Sequence, residues 1–240
     1  MNPTDWMRPL LMGVPLAFVL AGCTTARMAI PADLESRAEA YPCVGRGGFS
    51  FGETFSFGPY EVADVRRGWT HRVAWGIVFY ERSQAVQRYE FSLKSPSGKI
   101  WQGQAATGVR KEDLKDTLAG GELTVGISRD VRFIARFGLA GQTNAWTLAL
   151  AEERGGILLN GTLDDGTAAY RIEGTRQLAG TSMSLMENAG FLLYDGSRLV
   201  AAVDLLNAGS VHFDRDLSPA RREPLAAAVA SLLLYRDISD

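Results

Sequence analysis

Apolar and polar side chains alternate with a period of two along most of this chain. Alternation of that kind is the signature of a strand with one face in a core and one in water. Val73-Ala74-Trp75-Gly76-Ile77-Val78-Phe79 places Val73, Trp75, Ile77 and Phe79 on one face. Tyr89-Glu90-Phe91-Ser92-Leu93-Lys94 turns Tyr, Phe and Leu inward and Glu, Ser and Lys outward. Val131–Phe137 hides Val131, Phe133 and Phe137, and Ala145–Leu150 and Tyr170–Glu173 behave alike. Turn residues separate the runs. Ser95-Pro96-Ser97-Gly98, Asp164-Asp165-Gly166, Asp195-Gly196 and Asn207-Ala208-Gly209 supply the positive φ that tight hairpins need. The pattern predicts roughly ten to twelve antiparallel strands joined mostly by hairpins. Arg110–Leu118 reads as a short surface helix or a loop.

Two runs break the alternation. Phe191-Leu192-Leu193-Tyr194 and Leu199-Val200-Ala201-Ala202-Val203 are apolar on both faces. Strands of that kind are covered on both sides, so a second layer is required. The candidate cover is the C-terminal run Leu225–Tyr235, which has no charge. Ser218-Pro219 or Glu223-Pro224 can open it as a helix, with proline in the first turn. At 1.5 Å per residue it spans roughly 16 Å, about half a bilayer core. A helix that is apolar all round belongs in a protein interior. The fold class expected is therefore mainly β: an antiparallel barrel or sandwich with a buried hydrophobic C-terminal helix.

Many antiparallel strands followed by one buried C-terminal helix resembles the tubby-like C-terminal fold of the tubby, LURP-one-related and phospholipid scramblase proteins. The resemblance rests on element order and on the strand-turn-strand-helix stretch Gly190–Tyr235. It implies a barrel of about twelve strands wrapped round the helix, and no binding residue is carried over by it. A β-sandwich or a lipocalin-like barrel with the helix outside fits the same periodicity.

The beginning of the chain follows a different pattern. From Pro9 to Gly22 it is uncharged for about 14 residues, short of the roughly 20 a spanning helix needs. With Arg8 before it, the run reads as the core of a signal peptide. It ends in Leu20-Ala21-Gly22-Cys23, which resembles the lipobox of bacterial lipoproteins. That resemblance implies a diacylglycerol thioether on Cys23, cleavage after Gly22 and acylation of the new N-terminus, with palmitate as a typical chain. Thr24 follows where an Asp would favour retention in the inner membrane, so the expected location is the outer membrane, facing the periplasm. Asp5 is unusual in a positive leader, and a start at Met7 gives the cleaner Met7-Arg8-Pro9. The expected division is residues 1–22 as signal peptide, 23–43 as lipidated cysteine and tether, and 44–240 as one β-rich domain. Residues 24–42 reach roughly 25 Å if flexible, with one short helix possible after Pro31.

Composition narrows the function classes. Of 240 residues 46% are hydrophobic and 22% charged, which suits a folded domain. A net charge of −2 excludes nucleic-acid binding by bulk charge. Two Cys and two His leave little material for a metal centre. Once Cys23 carries lipid, Cys43 stands alone: a small buried hydrophobe, with a reactive thiol or an intermolecular bridge as alternatives. Gly48-Phe49-Ser50-Phe51-Gly52 matches the G-x-S-x-G pattern of serine hydrolases, and Asp195 or Asp204 and then His212 follow in the order of a triad. The chemistry needs a strand-to-helix turn after a parallel strand, whereas Glu53–Gly58 continues as another alternating run. Ser50 is thus expected on a Gly-rich edge. His71 and His212 with Asp214 and Asp216 lack ligand spacing. Asp214-Arg215-Asp216 reads as charge ahead of the helix, Arg221-Arg222 as a solvated helix start, and Asn160-Gly161 as a turn signal. The expected function is non-catalytic binding or scaffolding at the envelope, without cofactor, metal or catalytic residue. The expected partners are the membrane, through Cys23, and an envelope protein or lipid. A lipocalin-like carrier of a small apolar ligand and, more remotely, a hydrolase using Ser50 are the rivals.

Overall fold

Each alternating run pairs with its sequence neighbours, and in a computed structural model the sheet returns on itself. The structure describes residues 25–47, 54–68, 87–107, 131–142, 144–152 and 158–235. The expected signal peptide with Cys23, the Ser50 motif, His71, the Val73–Phe79 run and Arg110–Leu118 lie outside the described residues. A short helix α1 (Ala32–Glu35) precedes β1 (Ala38–Val44), β2 (Phe55–Phe57), β3 (Tyr60–Arg67), β4 (Gln87–Lys94), β5 (Ile100–Thr107) and β6 (Val131–Leu139). Then come β7 (Ala145–Glu152), β8 (Leu159–Asp164), β9 (Ala169–Thr175), β10 (Gly190–Asp195), β11 (Arg198–Asp204), β12 (Ser210–Asp214) and helix α2 (Pro219–Leu234). The twelve strands form one closed antiparallel barrel in which β2 to β12 follow in sequence order and β1 joins β12 to β2. Ala38 stands opposite Asp214, and Cys43 opposite Phe57.

Helix α2 occupies the lumen. It touches β4, β5 and β6 and also β11, and β5 and β11 lie on opposite sides of the ring. Leu225 to Leu234 are buried on every side, in one core with inward residues from all twelve strands. The sizes are complementary. The wall supplies Phe57, Tyr89, Phe91, Phe133, Phe137, Phe191 and Phe213, while the helix presents Ala226, Ala227, Ala228 and Ala230. Eight strands enclose only side chains and sixteen leave a channel. Twelve make room for a helix, which is about 10 Å across with its side chains. Pro219 sits at the first turn, after Ser218 in extended conformation (ψ 150°), and Pro224 falls inside the helix.

The barrel has two unlike rims. At one, the connections are tight: Gly98 (φ 80°), Gly166 (φ 86°) and Gly196 (φ 58°) take the left-handed conformations the hairpins require. Asp165 Oδ1 accepts the N–H groups of Thr167 and Ala168 at 2.9 and 2.8 Å, closing its turn as an Asx motif. The helix enters here. At the other rim α2 ends, and the long connections after β1, β3, β5 and β9 leave and return there.

The domain begins earlier than the expected boundary at residue 44. β1 is cut from the expected tether, and Met28 and Leu34 are buried. They pack with Ala38, Ala189, Leu199 and Ala202 over the outer face of β10 and β11, joined by Leu178, Leu185 and Leu192. The doubly apolar strands do have a cover on each face, but the two covers differ. The helix takes the inner face, and the segment ahead of β1 takes the outer one. A β-bulge at Val200 interrupts the alternation, since Leu193 pairs with Ala201 and Tyr194 with Leu199, so that Val200 and Ala201 both join the inner core.

Candidate functional site

Polar side chains gather where α2 meets the two rims. At the entry rim Asp214 is 1% exposed. Arg37, beyond α1, and Arg198, opening β11, both bind its Oδ2, the latter through Nε at 2.8 Å. Arg198 also reaches Asp216 at 2.9 Å. Burial alone would raise the Asp214 pKa. The Asp216 N–H and the Arg198 and Arg37 guanidinia overcome it and hold the carboxyl below the usual aspartate value. Asp214 is therefore a buried ion-pair centre and not the helix-start charge its position suggested. Arg221 and Arg222 are likewise engaged. Arg221 pairs with Asp195 and contacts the Tyr170 hydroxyl at 3.4 Å. Arg222 bonds Glu39 Oε2 at 3.2 Å and the Asp214 carbonyl at 3.1 Å, with its guanidinium over the Phe213 ring.

Just past the first turn of α2 a second buried carboxylate, Glu223, accepts from Ser97 Oγ at 2.5 Å and Lys99 Nζ at 3.1 Å. Burial pushes Glu223 up, and these donors from the β4–β5 turn bring it below the usual value. At the far rim the Tyr235 N–H donates to Ser231 O and Leu232 O, and the Leu233 and Leu234 carbonyls lie beyond the last intrahelical bonds. Arg46 Nε donates to Leu233 O at 2.9 Å, Arg67 to Leu234 O at 3.2 Å, and Tyr89 Oη to Ser231 O at 2.5 Å. Two guanidinia thus face the negative end of the helix dipole. Arg46 further ties Leu205 O and Asn207 O to the same point.

The residues singled out for chemistry fall apart spatially. Asp204 Oδ2 accepts Met28 N at 3.1 Å and its Oδ1 accepts Leu206 N at 2.9 Å, so both oxygens hold backbone. Asp195 belongs to the opposite rim, on Arg221. His212 is a half-buried strand residue, with Nε2 3.3 Å from Ser210 Oγ. Burial lowers its pKa, against the raising influence of Asp204 and Glu35. Asp204 and His212 thus neighbour each other without forming an Asp–His dyad. Asn160 lies within β8, where its Oδ1 accepts Gly174 N at 2.9 Å, so it is not in a turn. Cys43 is a free, buried thiol whose pKa burial raises to about 11, which makes it inert. Among the described residues no cluster of three His, Cys, Asp or Glu is placed to hold a metal ion.

One further feature joins the N-terminal segment to the β9–β10 connection. Ala29 N donates to Gln177 O at 2.8 Å and Ala179 N to Arg27 O at 2.9 Å, around a Met28–Leu178 bridge. Asn207 Nδ2 donates to Ala26 O at 2.7 Å. Gly190 permits this seam: a Cβ there would lie 2.2 Å from Met28 Sδ and 2.0 Å from Val203 O. Neither Met28 nor Gly190 stood out in the sequence, because Met28 stands in a short apolar run that Pro31 interrupts, too short to show a period. The seam fixes the chain at the far rim four residues after Cys23. No family model, no curated protein and no solved structure matches this chain.

Proposed function

We propose that this chain is a lipid-anchored, periplasm-facing lipoprotein of the outer membrane whose barrel is a non-catalytic binding or scaffolding unit. The observation that carries the non-catalytic reading is the seating of α2. Leu225–Leu234 fill the lumen, and ion pairs and guanidinium–carbonyl bonds engage both helix ends. A lipocalin-like carrier needs that space for its ligand. A hydrolase needs an acid–base pair, whereas Asp204 is committed to backbone and Asp195 to Arg221. Binding then falls to the outer surface and the rims. Lipid attachment is supported by Leu20-Ala21-Gly22-Cys23 at the end of an uncharged run. Kinship with the tubby-like fold is supported by the order of elements, twelve antiparallel strands and then a helix seated among them.

Cys23→Ser is the test of the anchor. Metabolic labelling with a fatty acid should mark the native chain and not the variant, and the variant should keep its leader uncleaved and be missing from the outer-membrane fraction. Unchanged membrane association with full cleavage sinks the reading. Two assays address the rivals: displacement of an apolar dye by the purified protein would favour a carrier, and labelling of Ser50 by a fluorophosphonate would favour a hydrolase.

A further inference from the structure

We propose that the rim carrying the β9–β10 connection lies against the lipid surface, with Met183 and Met186 inserted at the boundary between headgroups and acyl chains. The inference rests on the lipid-anchor reading above and specifies the orientation it imposes. Cys23 precedes Arg27 by four residues, and a fully extended chain covers roughly 14 Å over that distance. Arg27 is fixed to Ala179 and Ala26 to Asn207. The acyl chains on Cys23 are therefore held within that radius of this one rim. The expected loose tether of residues 24–42 would have let the domain turn freely, but packed Met28, Leu34 and β1 leave only the few residues before Ala26.

What faces the lipid there suits it. Among the described residues the exposed large hydrophobic side chains are Val44, Ile100, Met183 and Met186. Met183 and Met186 are 70% and 81% exposed, both in the connection that Arg27 and Met28 pair with. Val44, 65% exposed, ends β1 at the same rim. From Leu178 to Met186 the connection has no charge, with Arg176 before it and Glu187 after it. Unbranched thioether side chains adapt to an irregular medium such as the acyl boundary, and Arg27 and Arg176 flank them as partners for lipid phosphate. At the opposite rim Asp165 is tied into its own turn, and Asp195 and Asp216 are paired with Arg221 and Arg198; among the described residues Ile100 is the one exposed large hydrophobic side chain there. An anchor that keeps a weak membrane contact close raises its effective concentration, so two methionines are enough to fix orientation.

The native Cys43 thiol is buried, so a cysteine introduced elsewhere can be labelled selectively. Full-length acylated protein with Met186→Cys or Ser197→Cys, each bearing nitrobenzoxadiazole, is reconstituted in vesicles of phosphatidylethanolamine and phosphatidylglycerol. The label at 186 should be quenched severalfold more by doxyl-labelled lipid than the label at 197, and aqueous iodide should show the reverse order. With Met183→Ser and Met186→Ser in place, a label on Ser184→Cys should lose its lipid quenching while the protein stays anchored. Equal iodide access at 186 and 197 on acylated protein, or lipid quenching at 184 unaffected by removing both methionines, overturns the proposed orientation alone. A Cys23 peptide without acyl mass overturns the anchor reading and this proposal with it.

Discussion

Single residues in this fold act through partners far along the chain. Asp214 is the clearest case, since Arg37 lies 177 positions away. From sequence it reads as helix-start charge because Pro219 opens a helix just beyond it; its burial and its two guanidinia are products of barrel closure. Replacing Asp214 by Asn leaves Arg37 and Arg198 without their shared anion. Unfolding by urea should show a loss of about 2–3 kcal/mol, below the full cost of breaking a buried pair because Arg198 is half exposed. The same site shapes the acid limb. The folded-state pKa values of Asp214, Glu223 and His212 are all lowered, so at low pH the unfolded chain binds more protons than the native one. Stability should hold at neutral pH. It should begin to fall below about pH 6.5 as His212 of the unfolded chain protonates, and fall further below about pH 4 as its carboxylates do. Thermal unfolding across pH 3–8 checks the order, and Asp214→Asn should flatten the lower part. Cys43, legible as a small buried hydrophobe, should react with a maleimide only after denaturation; rapid labelling of the native protein would contradict its burial.

The element scale was the most legible in the sequence. Period-two runs and Asp-Gly or Asn-Ala-Gly turns mark β4 to β12 nearly in place, because hairpin register is local chemistry. What lay beyond reach was the cover on the outer face of β10 and β11. Two apolar faces announce that a cover exists, but Met28 and Leu34 lie on either side of Pro31 in a run too short to show a period, and the partner is chosen by tertiary packing. This makes the seam testable. Gly190→Val should force Met28 out, since even a Cβ would sit 2.2 Å from its sulfur. A limited protease should then cut between Ala26 and Arg37, a stretch that should resist in the native protein. Leu34→Ala removes the deepest contact of α1, fully buried in the native fold, and should cost about 2–4 kcal/mol. If both variants keep native protease resistance and melting temperature, the segment is a tether after all.

At the scale of the whole molecule, closure and filling depend on each other. β1 must reach both β12 and β2, so the sheet closes only when distant parts of the chain meet, a slow and non-local step. A closed ring of twelve strands is in turn too wide to be filled by its own side chains. Helix α2 supplies the missing volume, and its carbonyl end gives Arg46 and Arg67 their partners. The run Leu225–Tyr235 announces a buried helix by being short, uncharged and apolar all round; its seat inside the ring follows only once strand number and closure are known. Leu232, Leu233 and Leu234 are nearly or fully buried, each contributing about 1.5–3 kcal/mol by transfer alone. A domain of this size is stable by only about 5–15 kcal/mol. Leu233→Asp, which buries an unpaired charge, should therefore prevent folding, and removal of residues 219–240 should leave insoluble or protease-sensitive material. The discriminating measurement is a thermal melt of the truncated, unlipidated chain followed by circular dichroism. A soluble product that melts cooperatively at the native temperature would mean that the ring closes without its helix, and the interdependence of closure and filling would be refuted.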